Sequence, residues 1–137
     1  MCHTVGQTMH IYKTRQFGKW AGKEGLSDSV LAAAVAEMER GLIDADLGGH
    51  VVKKRVALPG RGKSGGARTL LAYRLADRAF FVYGFAKNER DNIDDKELKA
   101  LKLLASTLLR WTEQQLAHAL EEGALLPVNP DVQRGES

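Results

Sequence analysis

Three stretches with strand character follow one another in the middle of the chain, and the connections between them are short. Val51–Leu58 stops at Pro59-Gly60, Arg68–Arg74 follows a glycine-rich segment, and Ala79–Phe85 follows a turn at Ala76-Asp77-Arg78. Parallel neighbours need a long crossover, usually a helix, so these three read as adjacent antiparallel strands. Helical periodicity lies on either side. Thr14 can cap a helix through Phe17 and Trp20 towards Gly25, and Ser27 or Asp28 begins another, with Val30, Leu31, Ala34, Val35 and Met38 on its apolar stripe. Asp94-Asp95 places acid at the start of a long helix carrying Leu98, Leu101, Leu104, Ala105, Leu108 and Leu109, with Gly123 at its end. Met9–Tyr12 adds a first strand and Asp46–Gly49 a turn. The order is β-α-α-β-β-β-α. It predicts an α+β fold, a small antiparallel sheet flanked by N-terminal helices and a long C-terminal helix.

A chain of 137 residues reads as one domain. Residues 9–126 are expected to form it, with 1–8 an extension before a start at Met9 and 127–137 a flexible tail. The single cysteine, Cys2, excludes an internal disulfide and a cysteine-based zinc cage, and it suits a reducing, cytoplasmic setting. No apolar run approaches the roughly 18–20 residues needed to span a bilayer, and no signal peptide is visible, so no membrane role is expected.

Charge is distributed unevenly. Between Lys53 and Arg90 stand ten Lys or Arg and two acids, a local balance of +8 in a chain of net charge +3, so the remaining residues sum to −5. A segregated positive field suits a phosphate-rich partner. Alternation along the strand puts Lys53 and Arg55 on one face with Ala57, about 7 Å apart, and Val52, Val56 and Leu58 on the other. Two such cations could also form an ordinary solvated strand face. The segment Gly60–Gly66 holds four glycines in seven residues together with Arg61 and Lys63. It reads as a flexible basic loop whose backbone can approach a phosphate. Gly62-Lys63-Ser64 matches the end of a nucleotide-binding loop, but Ala57 stands where the first glycine belongs and no helix pattern follows, which argues against an NTPase.

If the three strands are neighbours, Lys53, Arg55, Arg68 and Lys87 meet at one side of the sheet. Phe81, Tyr83 and Phe85 share a face by alternation, with Phe80 on the other. Tyr73 and Tyr83 are candidates for base stacking, and core packing competes for both. The four histidines are scattered without metal or triad spacing, and the acids of Asp91–Glu97 fit helix capping better than a metal site.

The blocks Lys53-Lys54-Arg55-Val56-Ala57, Gly62-Lys63-Ser64-Gly65-Gly66-Ala67-Arg68-Thr69 and Phe80-Phe81-Val82-Tyr83-Gly84-Phe85-Ala86-Lys87-Asn88 together resemble the RelE/HigB-type toxins of bacterial type II toxin–antitoxin modules. The resemblance covers about Met9–Leu109. It implies a microbial-ribonuclease-like fold and a ribosome-dependent, metal-independent mRNA endonuclease with no cofactor. Such an mRNA interferase inhibits translation: the RNA 2′-hydroxyl attacks the adjacent phosphate and leaves a 2′,3′-cyclic phosphate and a 5′-hydroxyl. It further implies charge stabilisation by Arg55 and Arg68, and base or acid work by Lys53 or Lys87. RNA contacts are expected from Lys54, Arg61, Lys63, Tyr73, Tyr83, Asn88 and Arg90. The implied partners are the ribosome, mRNA and a cognate antitoxin of helix-turn-helix or RelB-like kind, with operator DNA reached only through the antitoxin complex. Where some relatives carry a tyrosine shortly after this segment, Asn92, Ile93 and Asp94 stand here, so that role is vacant or passes elsewhere. A gyrase-poisoning relative acting on a protein target, or a nucleic-acid-binding module without activity, are the alternatives.

Overall fold

The computed structural model describes residues 10–58, 62–74, 78–87 and 92–128. β1 (His10–Thr14) leads directly into α1 (Arg15–Glu24). Thr14 caps it by accepting from the Phe17 N–H, and Gly25 closes it in the left-handed conformation that glycine tolerates best. Ser27 caps α2 (Asp28–Glu39) in the same way. A two-residue strand, β2 (Ala45–Asp46), precedes β3 (Val51–Leu58), β4 (Gly62–Arg74) and β5 (Arg78–Ala86).

The α+β class and the antiparallel β3–β4–β5 core are as expected. The sheet has six strands in the order β2-β3-β4-β5-β1-β6, antiparallel except for β1 beside β5. Four local readings differ. The glycine-rich segment is not a loop from Gly62 onward: main-chain pairing needs no side chains, and β4 begins at Gly62, opposite Leu58. The single C-terminal helix is two, α3 (Asp95–Leu109) and α4 (Glu113–Glu121). Thr112 and Gln115 form a capping box that starts the second, while Arg110 ends the first. Pro127 then ends β6 (Leu125–Pro127), which pairs with β1, and Val128 is buried. Arg78, expected in a turn, is the first residue of β5. It is buried, donates to the Trp111 carbonyl at 2.8 Å and meets Glu113 at 3.3 Å, which ties β5 to the α3–α4 junction.

Two cores sandwich the sheet. α1 and α2 bury Phe17, Leu31, Val35 and Met38 against Val52, Val56, Leu71 and Phe81. α3, α4 and β6 bury Ala105, Leu108, Leu116 and Leu125 against Val51, Leu70, Ala72, Phe80 and Val82. Each fully buried Leu or Phe contributes about 1.5–3 kcal/mol relative to exposure, so both faces hold the sheet flat against its helices. Among the described residues no helix is long and apolar enough to cross a membrane.

Candidate nucleic-acid interface

Strand register decides which basic side chains share a face. Residues directly opposite each other in a ladder point the same way. Lys53 lies opposite Leu70, and Leu70 opposite Tyr83; one step on, Arg55 lies opposite Arg68, and Arg68 opposite Phe85. Leu70 belongs to the α3–α4 core, so both rows lie on that side of the sheet. The core fills the rows of Val51, Ala72 and Phe80, and the Arg55–Arg68–Phe85 row lies beyond it. The Lys87 N–H donates to the Gly66 carbonyl at 3.1 Å, so pairing runs on past β5 and Lys87 stands exposed at the end of the same strand pair.

A β-bulge brings Tyr83 to this face. Leu70 pairs with Tyr83 while Leu71 pairs with Phe81, leaving Val82 as an extra residue on β5. Strict alternation would group Phe81 with Tyr83 and Phe85. Instead Phe81 joins the α1–α2 core, and Phe80, Val82 and Tyr83 all face α3 and α4. Re-aiming a side chain is what such a bulge does. Tyr83 and Phe85 then approach with ring centroids 6.1 Å apart, and Tyr83 borders a cavity of about 170 Å³ with Glu97, Ala100 and Leu101. Beneath them Gly84 faces the other way, under the Trp20 ring; a Cβ there would lie 2.3 Å from it.

The electrostatics of the Arg55–Arg68 row are unfavourable for the isolated fold. Like charges directly opposite destabilise a sheet. Arg55, 47 % exposed at its side chain, gives its Nε to Asp44 Oδ1 at 3.2 Å, and its backbone N–H donates to Asp44 Oδ2. Arg68 is partly buried, and its Nη1 is inaccessible to solvent with no hydrogen-bond partner among the described residues. An unpaired buried donor on a guanidinium is costly.

Two expected RNA contacts lie elsewhere. Lys54 points to the opposite face because it follows Lys53 by one residue. It is 5 % exposed, with its Nζ 2.7 Å from Glu37 and 2.9 Å from the Leu42 carbonyl. Tyr73 also faces α1 and α2 and is buried in that core, its hydroxyl without a partner among the described residues. Burial first, and then the negative charge of Glu39, push this hydroxyl above the ordinary tyrosine value of 10.0. Neither residue is available to a ligand on the basic face. Arg61, Asn88 and Arg90 lie outside the described residues, as does the side chain of Lys63. Sequence reading missed two contributors. Phe85 ends the arginine row, and Asp44, which no motif marks, clamps Arg55. Among the described residues no group of His, Cys, Asp or Glu is placed to hold a metal ion.

A larger cavity, about 560 Å³, runs along α4 between Trp111, Gln115, His118 and Glu122, and among the described residues no lysine or arginine lines it. The arginines lie instead at the Arg55–Arg68 pair of β3 and β4. A family model described as the RelE toxin of the RelE / RelB toxin-antitoxin system matches residues 9–128, which takes in every strand and helix described above. No curated protein matches the chain significantly.

Proposed function

The chain belongs to the RelE toxin family and is the toxin component of a toxin–antitoxin system, and from that premise we propose that it is a ribosome-dependent mRNA endonuclease. The observation that carries the proposal is the Arg55–Arg68 pair. Two arginines are opposed in one ladder; Asp44 holds one, and the other has a buried Nη1 that meets no partner among the described residues, so the pair keeps positive charge that an anion between them would offset. A phosphodiester brings negative charge, and it carries more in the transition state, so fixed cations favour the reaction over the ground state.

In this reading the RNA 2′-oxygen bonds to phosphorus as the bond from phosphorus to the 5′-oxygen breaks. Arg55 and Arg68 hold the phosphate oxygens. Lys53 or Lys87 takes the proton from the 2′-hydroxyl or supplies one to the departing oxygen. No metal is needed for this charge balance, since the chain's own cations supply it. Tyr83 offers a ring on which a neighbouring base stacks. In sequence, Arg61 comes shortly after β3, Lys63 belongs to β4, and Asn88 and Arg90 come shortly after β5, so all four extend the basic tract.

The family also implies an antitoxin partner. We take it to be a small helix-turn-helix or RelB-like protein from the adjacent reading frame, which masks the basic face and makes the operator contacts of the pair. The test is induced expression with and without that neighbour, with mapping of mRNA 5′ ends and of the chemical nature of the new termini. New 5′-hydroxyl ends on translated messages, absent with Arg68→Ala and suppressed by the neighbour, are expected. Intact mRNA with altered DNA supercoiling would overturn the proposal in favour of a gyrase-directed toxin.

A further inference from the structure

Asp44 immediately precedes β2, a strand of only two residues. Its N–H donates to the Lys53 carbonyl at 3.0 Å, and two residues earlier the Leu42 carbonyl accepts from Lys54 Nζ at 2.9 Å. Glu37 on α2 holds the same Nζ at 2.7 Å. The segment Leu42–Asp44 is thus fastened to three consecutive residues of β3. Its last side chain spans the third: one carboxylate oxygen accepts from the Arg55 backbone N–H and the other from Arg55 Nε. β2 is too short to pair that N–H, so the carboxylate stands where the next β2 residue would and takes hold of the guanidinium as well.

We propose that Asp44 is the positioning residue for Arg55, fixing its guanidinium for the RNA phosphate while offsetting the repulsion between Arg55 and Arg68. This rests on the endonuclease reading. A carboxylate bound at both the backbone and the Nε of one arginine removes most of that side chain's rotamer freedom. The Nη groups meet no acceptor among the described residues, so the fork's outer edge is left to a ligand. Neutralisation and orientation make opposite predictions when Asp44 is removed. Removing an acid from a basic surface raises its attraction for RNA, whereas releasing the arginine misplaces it, and a displacement of 1 Å can cost about 10²-fold in rate.

The experiment is a double-mutant cycle on the full chain with ribosome-bound mRNA, comparing wild type, Asp44→Ala, Arg55→Ala and the double variant. Asp44→Ala should lower kcat by roughly 10–10²-fold with KM unchanged or reduced. It should have little further effect in the Arg55→Ala background. Asp44→Asn, with one oxygen for two donors, should fall between. Equal losses in both backgrounds, or no loss at all, would overturn the inference and leave the endonuclease reading standing. The second readout needs no turnover: the Arg55 Nε–H resonance during titration with a 2′-O-methyl RNA oligonucleotide. It should move on RNA addition in the wild type and broaden or lose that response in Asp44→Ala. If the wild type does not cleave but this contrast holds, the nuclease reading falls and the positioning role survives. If the wild-type signal ignores RNA, the positioning role falls as well.

Discussion

Lys53 and Lys54 are neighbours in the chain and opposites in the fold. Lys54 is buried on the α1–α2 side between Glu37 and the Leu42 carbonyl, and the Lys54 carbonyl accepts from the Thr69 hydroxyl at 2.9 Å. Lys53 lies on the other side, in the row of Leu70 and Tyr83 and beside the opposed arginines. One face joins its lysine to a counter-charge in the structure; the other opposes two arginines, of which Arg55 meets the Asp44 carboxylate. The period of two in a β-strand therefore divides a single basic run into a half paired within the core and a half whose charge is only partly offset. A basic run in sequence is accordingly a poor measure of a binding surface until the strand phase is known.

The strongest test of this division is Arg68→Ala. Cleavage of ribosome-bound mRNA should fall by about 10²–10³-fold, the usual loss when a group stabilising transition-state charge is removed. The melting temperature should hold or rise slightly, because a like-charge pair disappears. A large loss of stability would show that Arg68 belongs to the structural half after all. Next in size is the contrast between the two lysines under urea denaturation. Lys54→Met strips the counter-ion from Glu37 and should cost about 2 kcal/mol; fully buried pairs cost about 3–5, and Glu37 keeps 29 % exposure at its side chain. Lys53→Met, at a half-buried position with no ion pair among the described residues to lose, should cost less than about 1 kcal/mol, yet lower the cleavage rate. Equal costs at the two positions would erase the distinction.

Much of that division was legible before any coordinates. Alternation in Val51–Leu58 separates Lys53 and Arg55 from Val52 and Val56, and short connections make the strands neighbours, so Arg68 falls beside Arg55. The same alternation fails on β5. Val82, the bulged residue, is an ordinary β-branched strand former, so nothing in its chemistry signals an extra residue, and Phe81 was grouped with Tyr83 when the two face apart. Glycines misled in β4, where their flexibility suggests a loop but ladder hydrogen bonds come from the backbone. The break between α3 and α4 is invisible to hydrophobic period, since the apolar stripe carries on past it; Thr112 with Gln115 was the available sign. Asp44 could not be read at all. Its role depends on a strand that stops after two residues, a property of tertiary packing and not of any local pattern.

Gly84 probes whether the two faces are mechanically joined. Its Cα lies beneath Trp20 on the α1 side, between Tyr83 and Phe85, which face the basic side. Gly84→Ala places a methyl 2.3 Å from the indole, so either the ring or the strand must shift, at a cost of about 1–3 kcal/mol. Thermal unfolding measures that cost. If β5 is what moves, cleavage falls too at temperatures where the variant remains folded; if only Trp20 moves, cleavage is preserved and the faces are independent.

The smallest effect is expected from Tyr73, the polar group of the covered face whose hydroxyl has no partner among the described residues. Burial, with Glu39 adding to it, raises its pKa above 10.0, so the folded state holds the proton more tightly than the unfolded chain does. The resulting stability is whole below pH 10 and is lost as pH rises from there towards the folded-state value. Tyr73→Phe should flatten that alkaline decline. At neutral pH it should leave stability unchanged or raise it by up to about 1 kcal/mol, because it removes an unsatisfied hydroxyl while keeping the ring. Cleavage should not change, since the ring faces away from Arg55 and Arg68. A drop in cleavage at constant stability would mean that the covered face reaches the RNA, and the partition of the sheet into a structural and a reactive side would have to be abandoned.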